Sequence, residues 1–181
     1  MKKIVAAVLT LMMIISLAAC GTKEKTEEES ANMQNPWVEY SSLDEVNEKV
    51  GGKLCAPAAM GVENKYFAVM NDGEMGEYRF SIGGYDYNFR FAPATTEDIS
   101  GLWVEKGTAF SEENQKNIQK VDDLELVYTD SAKLARWMNI DGQYVLNVAD
   151  SGEMEEATFL SIAQEMMAQT NMDMVNANSE G

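Results

Sequence analysis

Apolar residues alternate with polar ones through the middle of the chain, and recur at helical spacing on either side of that stretch. Ser42-Leu43-Asp44-Glu45 matches a capping box, Leu43, Val46 and Val50 share one helical face, and Gly51-Gly52 supplies a stop. A short helix over Leu43 to Val50 is predicted. After Pro57 the period changes to two: Tyr66, Ala68 and Met70 alternate with Phe67 and Val69 before an Asn71-Asp72-Gly73 turn. The clearest pattern spans Glu77 to Phe91, where Tyr78, Phe80 and Ile82 alternate with polar residues, as do Tyr85, Tyr87, Phe89 and Phe91. Between them Gly83-Gly84 suits a two-residue hairpin turn. The register then sets Ile82 against Tyr85, Phe80 against Tyr87 and Tyr78 against Phe89, all on one face. The other face pairs Ser81 with Asp86, Arg79 with Asn88 and Glu77 with Arg90. The aromatic face reads first as core and second as a platform for an aromatic ligand.

A second hairpin is predicted around Asp141-Gly142, with Asn139 opposite Tyr144, Trp137 opposite Leu146 and Ala135 opposite Val148. Ile118 to Val121 and Leu124 to Tyr128 form another pair around Asp122-Asp123. The chain closes with a helix over Glu153 to Ala168, which carries Phe159, Ile162, Ala163, Met166 and Met167 at helical spacing and has Ser151 or Asp150 as its cap. The predicted class is α+β: an antiparallel, mostly hairpin-linked sheet, with a short N-terminal helix and a C-terminal helix covering one face.

The N-terminus follows a different rule. Met1-Lys2-Lys3 is positive, and Ile4 to Leu17 is apolar except for Thr10 and Ser16, which is signal-peptide length and short for a membrane span. It ends in Leu17-Ala18-Ala19-Cys20-Gly21, which resembles the bacterial lipobox. Residues 1–19 are therefore expected to be removed, leaving Cys20 as a lipidated mature N-terminus. Two acyl chains at about 0.8 kcal/mol per buried methylene anchor stably where one is marginal. The expected location is the extracytoplasmic face of the cell membrane, on the bilayer rather than in it. Residues 20–35, with Glu24, Glu27, Glu28 and Glu29 and no periodic apolar position, read as an acidic tether of about 20 Å root-mean-square reach. A single domain is expected over 36–170, followed by a disordered, Asn-rich tail over 171–181.

Charge and composition narrow the chemistry. The 181 residues carry a formal charge of −16 and no histidine. That removes Ser/His/Asp and Cys/His catalysis and the usual zinc sites. Thirty acidic against fourteen basic residues also argue against nucleic acid as a partner. Once Cys20 is lipidated, Cys55 is the remaining thiol, read first as a buried small hydrophobe and second as a reactive or intermolecular one. Met166, Met167, Met172 and Met174 cluster, but without His or Cys nearby they fit helix core and tail better than Cu(I). Neither Asn71 to Glu77 nor Asp141-Gly142 keeps a calcium-loop pattern. No metal or cofactor is expected. A carboxylate-dependent hydrolase would need Glu97 and Asp98 with another acid across a cleft, whereas two adjacent acids before Ile99-Ser100-Gly101 read more simply as a loop or helix start.

Several segments together resemble a known family. They are Asn35-Pro36-Trp37-Val38-Glu39-Tyr40 before Ser42-Leu43-Asp44-Glu45, Tyr87-Asn88-Phe89-Arg90-Phe91-Ala92, Glu97-Asp98-Ile99-Ser100-Gly101, and Ala135-Arg136-Trp137 before Asp141-Gly142-Gln143-Tyr144. In order and spacing, from about Asn35 to Met167, they are similar to the extracytoplasmic family numbered four-three-six-seven among domains of unknown function. Its members are lipoproteins and membrane-tethered proteins of low-GC Gram-positive bacteria. The resemblance implies location and domain extent, and no catalytic residue.

The expected function is a non-catalytic module that binds another envelope protein or a wall component; the alternative is a small-ligand receptor, with a hydrolase third. The candidate binding residues are Arg79 and Arg90, two of three arginines in an acidic chain, placed diagonally on the non-aromatic hairpin face. Two readings of them stand: a local ion pair of Arg90 with Glu77, shared with Asp98, or a pair of guanidiniums that docks an acidic partner segment.

Overall fold

A computed structural model describes residues 35–58, 61–93, 97–104 and 107–177. The expected signal segment, Cys20 and most of the expected tether lie outside the described residues. The chain is α+β, built on an eight-stranded antiparallel sheet. The strands are β1 (Trp37–Tyr40), β2 (Glu63–Met70), β3 (Met75–Ile82), β4 (Tyr85–Pro93), β5 (Trp103–Val104), β6 (Gly107–Thr108), β7 (Gln119–Val121), β8 (Leu124–Tyr128), β9 (Ala132–Met138) and β10 (Gly142–Ala149). The order across the large sheet is β1-β2-β3-β4-β10-β9-β8-β7, while β5 and β6 form a separate two-stranded ribbon. Among the described residues two α-helices complete the fold, α1 (Leu43–Val50) and α2 (Glu156–Ala177).

The β3–β4 register is the one the Gly83-Gly84 turn dictates: Ile82↔Tyr85, Phe80↔Tyr87 and Tyr78↔Phe89 on one face, Ser81↔Asp86, Arg79↔Asn88 and Glu77↔Arg90 on the other. Both glycines have positive φ, 60° and 84°, as the turn requires. The β7–β8 pair also forms as expected, with Val121 opposite Leu124. The β9–β10 hairpin differs by two residues: Trp137 lies opposite Tyr144 and Ala135 opposite Leu146. Its turn is set by Asn139, whose side-chain oxygen accepts from the N–H groups of Asp141 (2.9 Å) and Gly142 (3.2 Å), so Ile140-Asp141 rather than Asp141-Gly142 forms the loop. A shift of two leaves every side chain on its original face.

The aromatic face is core. Tyr78, Phe80, Tyr87, Phe89, Phe91, Trp137, Tyr144 and Leu146 are buried beneath α1, through Val46 and Val50, and α2, through Phe159, Ile162, Ala163 and Met166. The rings stack in series, Phe80 on Tyr87 at 5.1 Å and Trp137 on Tyr144 at 5.6 Å. Helix α1 is capped by Ser42, whose hydroxyl accepts from Glu45 N–H. The Glu45 carboxylate returns to Ser41 rather than to Ser42, accepting from its N–H and hydroxyl at 2.9 Å each. The helix lies so close to β3 that a Cβ at Gly76 would meet Val46 at 2.9 Å.

Helix α2 begins at Glu156 rather than Glu153 and is not capped by Ser151 or Asp150. Phe159 N–H bonds to the Glu155 carbonyl, while Ser151 is fully buried and accepts from Lys133 Nζ. The helix also runs to Ala177, past the expected end at Ala168 and into the segment expected to be a disordered tail. Trp137 Nε1 donates to Thr170 Oγ1 at 3.0 Å, and Asn139 Nδ2 reaches the Thr170 carbonyl and Asn171 Oδ1 at 3.2 Å each. These tertiary bonds hold a stretch whose own sequence has no periodic apolar face.

The second face of the sheet is only half bare. The segment between β4 and β7 folds across β8, β9 and β10, where Ile99, Ala109 and Phe110 form a smaller core with Ala92, Val127, Ala132, Leu134 and Val145. Across β2, β3 and β4 the same face keeps its polar side chains.

Candidate functional site

The polar half of the second face begins with one carboxylate. Glu77, at the centre of β3, has no solvent exposure. Burying a charge is costly unless it is paired. Here Arg90 Nε reaches Oε2 at 2.7 Å, Asn88 Nδ2 reaches the same oxygen at 3.0 Å, and Arg79 lies 2.5 Å from Oε1. The cross-strand pairing of Glu77 with Arg90 puts the first contact in place, and Arg79 two residues along β3 supplies the second.

The two arginines are held differently. Arg90, with 14% of its side chain exposed, also donates through Nη1 to the Ile99 carbonyl at 3.0 Å and packs its guanidinium over Trp37. Gly101 passes so close that a Cβ there would sit 2.3 Å from Arg90 Nη1. Arg90 thus staples the β4–β7 segment to the sheet. Arg79 is half-exposed, stacks over the Tyr66 ring at 5.0 Å, and spends one guanidinium nitrogen on Glu77. Its remaining N–H groups have no partner among the described residues. The expected sharing of Arg90 with Asp98 does not occur: the two Asp98 oxygens accept from the backbone N–H groups of Ser100 (2.8 Å) and Phe110 (2.9 Å). Asp98 closes the loop, and the Glu97 carbonyl accepts from Gln143 Nε2 at 2.6 Å.

Arg79 opens onto a groove of about 750 Å³ that runs between β2 and the β4–β7 segment. Its floor follows one cross-strand row, Tyr66, Arg79, Asn88 and Asn147, from β2 to β10. Asn64, Ser81 and Asp86 form one wall, linked by hydrogen bonds from Asn64 Nδ2 to Ser81 Oγ (3.1 Å) and from Ser81 Oγ to Asp86 Oδ1 (2.6 Å). Asn147 Nδ2 donates to the Ser100 carbonyl and so fixes the opposite wall. Asn88 Oδ1 is buried without a hydrogen-bond partner. Sequence reading reached Arg79 and Arg90 but missed Asn88, Asn147 and Gln143. The available signal was the second face of β10, where Gln143 and Asn147 interrupt an otherwise apolar strand.

A second groove of about 780 Å³ lies beside the β8–β9 turn, along Thr129, Asp130 and Ser131. It contains no guanidinium and no buried orphan acceptor. Cys55 is half-buried against the Met166 carbonyl, and burial together with the nearby Glu165 charge pushes its thiol up to about 12. Among the described residues no group of three or more His, Cys, Asp or Glu side chains is placed to hold a metal, and no helix is long and apolar enough to cross a membrane.

Comparison with known proteins finds no family model, no curated protein and no solved structure that matches this chain.

Proposed function

We propose that this chain is a non-catalytic binding module, anchored to the extracytoplasmic face of the membrane through a diacylglyceryl group on Cys20, that recognises another envelope protein or a wall component. The observation that carries the reading is Arg79, a guanidinium whose position is set by a buried carboxylate and an aromatic ring while most of its donors stay open to a groove. Such a group is oriented before any ligand arrives, so little ordering entropy is lost on binding. Exposed walls at Asn64 and Asp86 suit an extended partner better than an enclosed small molecule. A photo-crosslinking side chain at position 64 tests this in intact cells, with one at position 48 on the outer face of α1 as control. A discrete adduct is expected from position 64, lost in Arg79→Gln, and absent from position 48. Equal adducts from both positions, or none from position 64, refute the groove as a partner site. Replacing Cys20 with Ser should abolish lipid labelling; retained label refutes the anchor.

A further inference from the structure

Resting on the binding-module reading, we infer that the Arg79 groove takes a neutral oligosaccharide. Three observations lead there. First, the groove's charges cancel: Arg79 and Arg90 are matched by Glu77 beneath them and Asp86 on the rim. A chain of formal charge −16 repels anions at long range, and this site carries no surplus of positive charge to overcome that. Second, β3, β4 and β10 under the groove are paired on both sides, and β2 is paired with β1 from Phe67 to Met70, so its outer edge is open only over residues 63–66, where its pairing with β3 is irregular. That open stretch is short and irregular, a poor template for a peptide to join as a further strand, so recognition falls to side chains.

Third, those side chains are the kind that suit hydroxyl groups. Asn64, Asn88, Asp86 and Arg79 offer planar donors and acceptors, and each sugar hydroxyl both gives and takes a hydrogen bond. The orphaned Asn88 Oδ1 needs a donor, which a hydroxyl supplies and a carboxylate or phosphate does not. Beside them Tyr66, half-exposed and held by the Arg79 stack, presents an aromatic surface of the kind against which the C–H face of a pyranose packs. A peptide anchor would instead look for apolar pockets, and the apolar side chains that line the groove's far wall are only Leu102 and Ala149.

The test is a nuclear magnetic resonance titration of the isotope-labelled full chain, reading the side-chain amides of Asn64, Asn88 and Asn147. The probes are three neutral tetrasaccharides (β-1,4-linked N-acetylglucosamine, α-1,4-linked glucose and β-1,4-linked galactose), a tetragalacturonate and a tetraglutamate peptide. At least one neutral sugar should give saturable shifts at those amides. Arg79→Gln should weaken that binding by about tenfold or more, the value of a hydrogen bond from a charged donor. Arg79 is half-exposed, so its removal leaves the fold intact, which cooperative unfolding with a midpoint lowered by no more than about 0.5 M urea verifies. Absence of saturation by all three neutral sugars to about 10 mM, or tighter binding of tetragalacturonate or tetraglutamate, overturns the inference. The position-64 adduct is read separately, so a retained protein adduct without sugar binding would refute the saccharide and keep the module.

Discussion

Replacing Glu77 with Gln removes the one negative charge enclosed between two guanidiniums while preserving the shape of the side chain. The consequence differs at each contact. Arg90, 14% exposed and confined by Trp37 and the Ile99 carbonyl, cannot swing out to water, so it loses its counter-ion and keeps only the neutral Gln carbonyl at the Oε2 position. Hydrogen bonds to charged groups contribute about 1.5–3 kcal/mol. Arg79 is 50% exposed and rehydrates, so its share is that of a surface pair, about 0–1 kcal/mol. The Asn88 bond survives, because the Gln carbonyl accepts as the carboxylate did. The total is about 1.5–4 kcal/mol, and at a urea dependence of about 2 kcal/mol per molar the midpoint should fall by about 0.8–2 M with an unchanged slope. Double-mutant cycles divide the effect: Glu77→Gln with Arg90→Gln should show coupling of about 2 kcal/mol, and with Arg79→Gln under about 1 kcal/mol. An unmoved midpoint for Glu77→Gln, or stronger coupling to Arg79 than to Arg90, would refute the division of labour between a structural and a ligand-facing arginine.

Three further outcomes are expected. Phe80, 1% exposed and stacked on Tyr87, should cost about 3–5 kcal/mol on truncation to Ala, read from urea unfolding; an unchanged midpoint would mean that the aromatic face is not core. Cys55, its thiol pushed up to about 12, should be alkylated at pH 8 about fiftyfold more slowly in the folded chain than in urea, since the lost thiolate outweighs the gain in nucleophilicity; equal rates would contradict its burial. Burial raises the Glu125 pKa, but the Arg136 hydrogen bond and charge and the Lys120 contact outweigh it and hold the carboxyl below its ordinary 4.5. Its contribution is therefore complete above that value and lost as pH falls through the lower folded one, so Arg136→Gln should flatten the loss of urea midpoint below about pH 4.5, and an unaltered acid limb would refute the pairing.

What could be read locally follows the range of the interactions. The β3–β4 register was legible because two adjacent glycines between alternating runs favour a two-residue loop, whose length fixes the pairing, and the α1 boundaries because a cap and a stop lie within a few residues. The β9–β10 register was not, because an Asn139 side chain competes with the Asp-Gly turn signal for the same backbone N–H groups. The error left the faces correct, since strand faces depend on parity alone. The far end of α2 was illegible because Thr170 and Asn171 are held by Trp137 and Asn139, some thirty residues earlier in the chain.

Alternation and turn residues thus determined the class of fold, the pairing of the central hairpin and the placement of Arg79 and Arg90 on one face. Only the tertiary structure decided what the two arginines do. The segment between β4 and β7 has short strands and no apolar period, so nothing local shows where it lies. It crosses β8, β9 and β10, bonds to Arg90, Gln143 and Asn147, and stops short of Arg79. One guanidinium is thereby enclosed and the other left at a groove, because exposure depends on what packs above a residue and not on the strand that carries it.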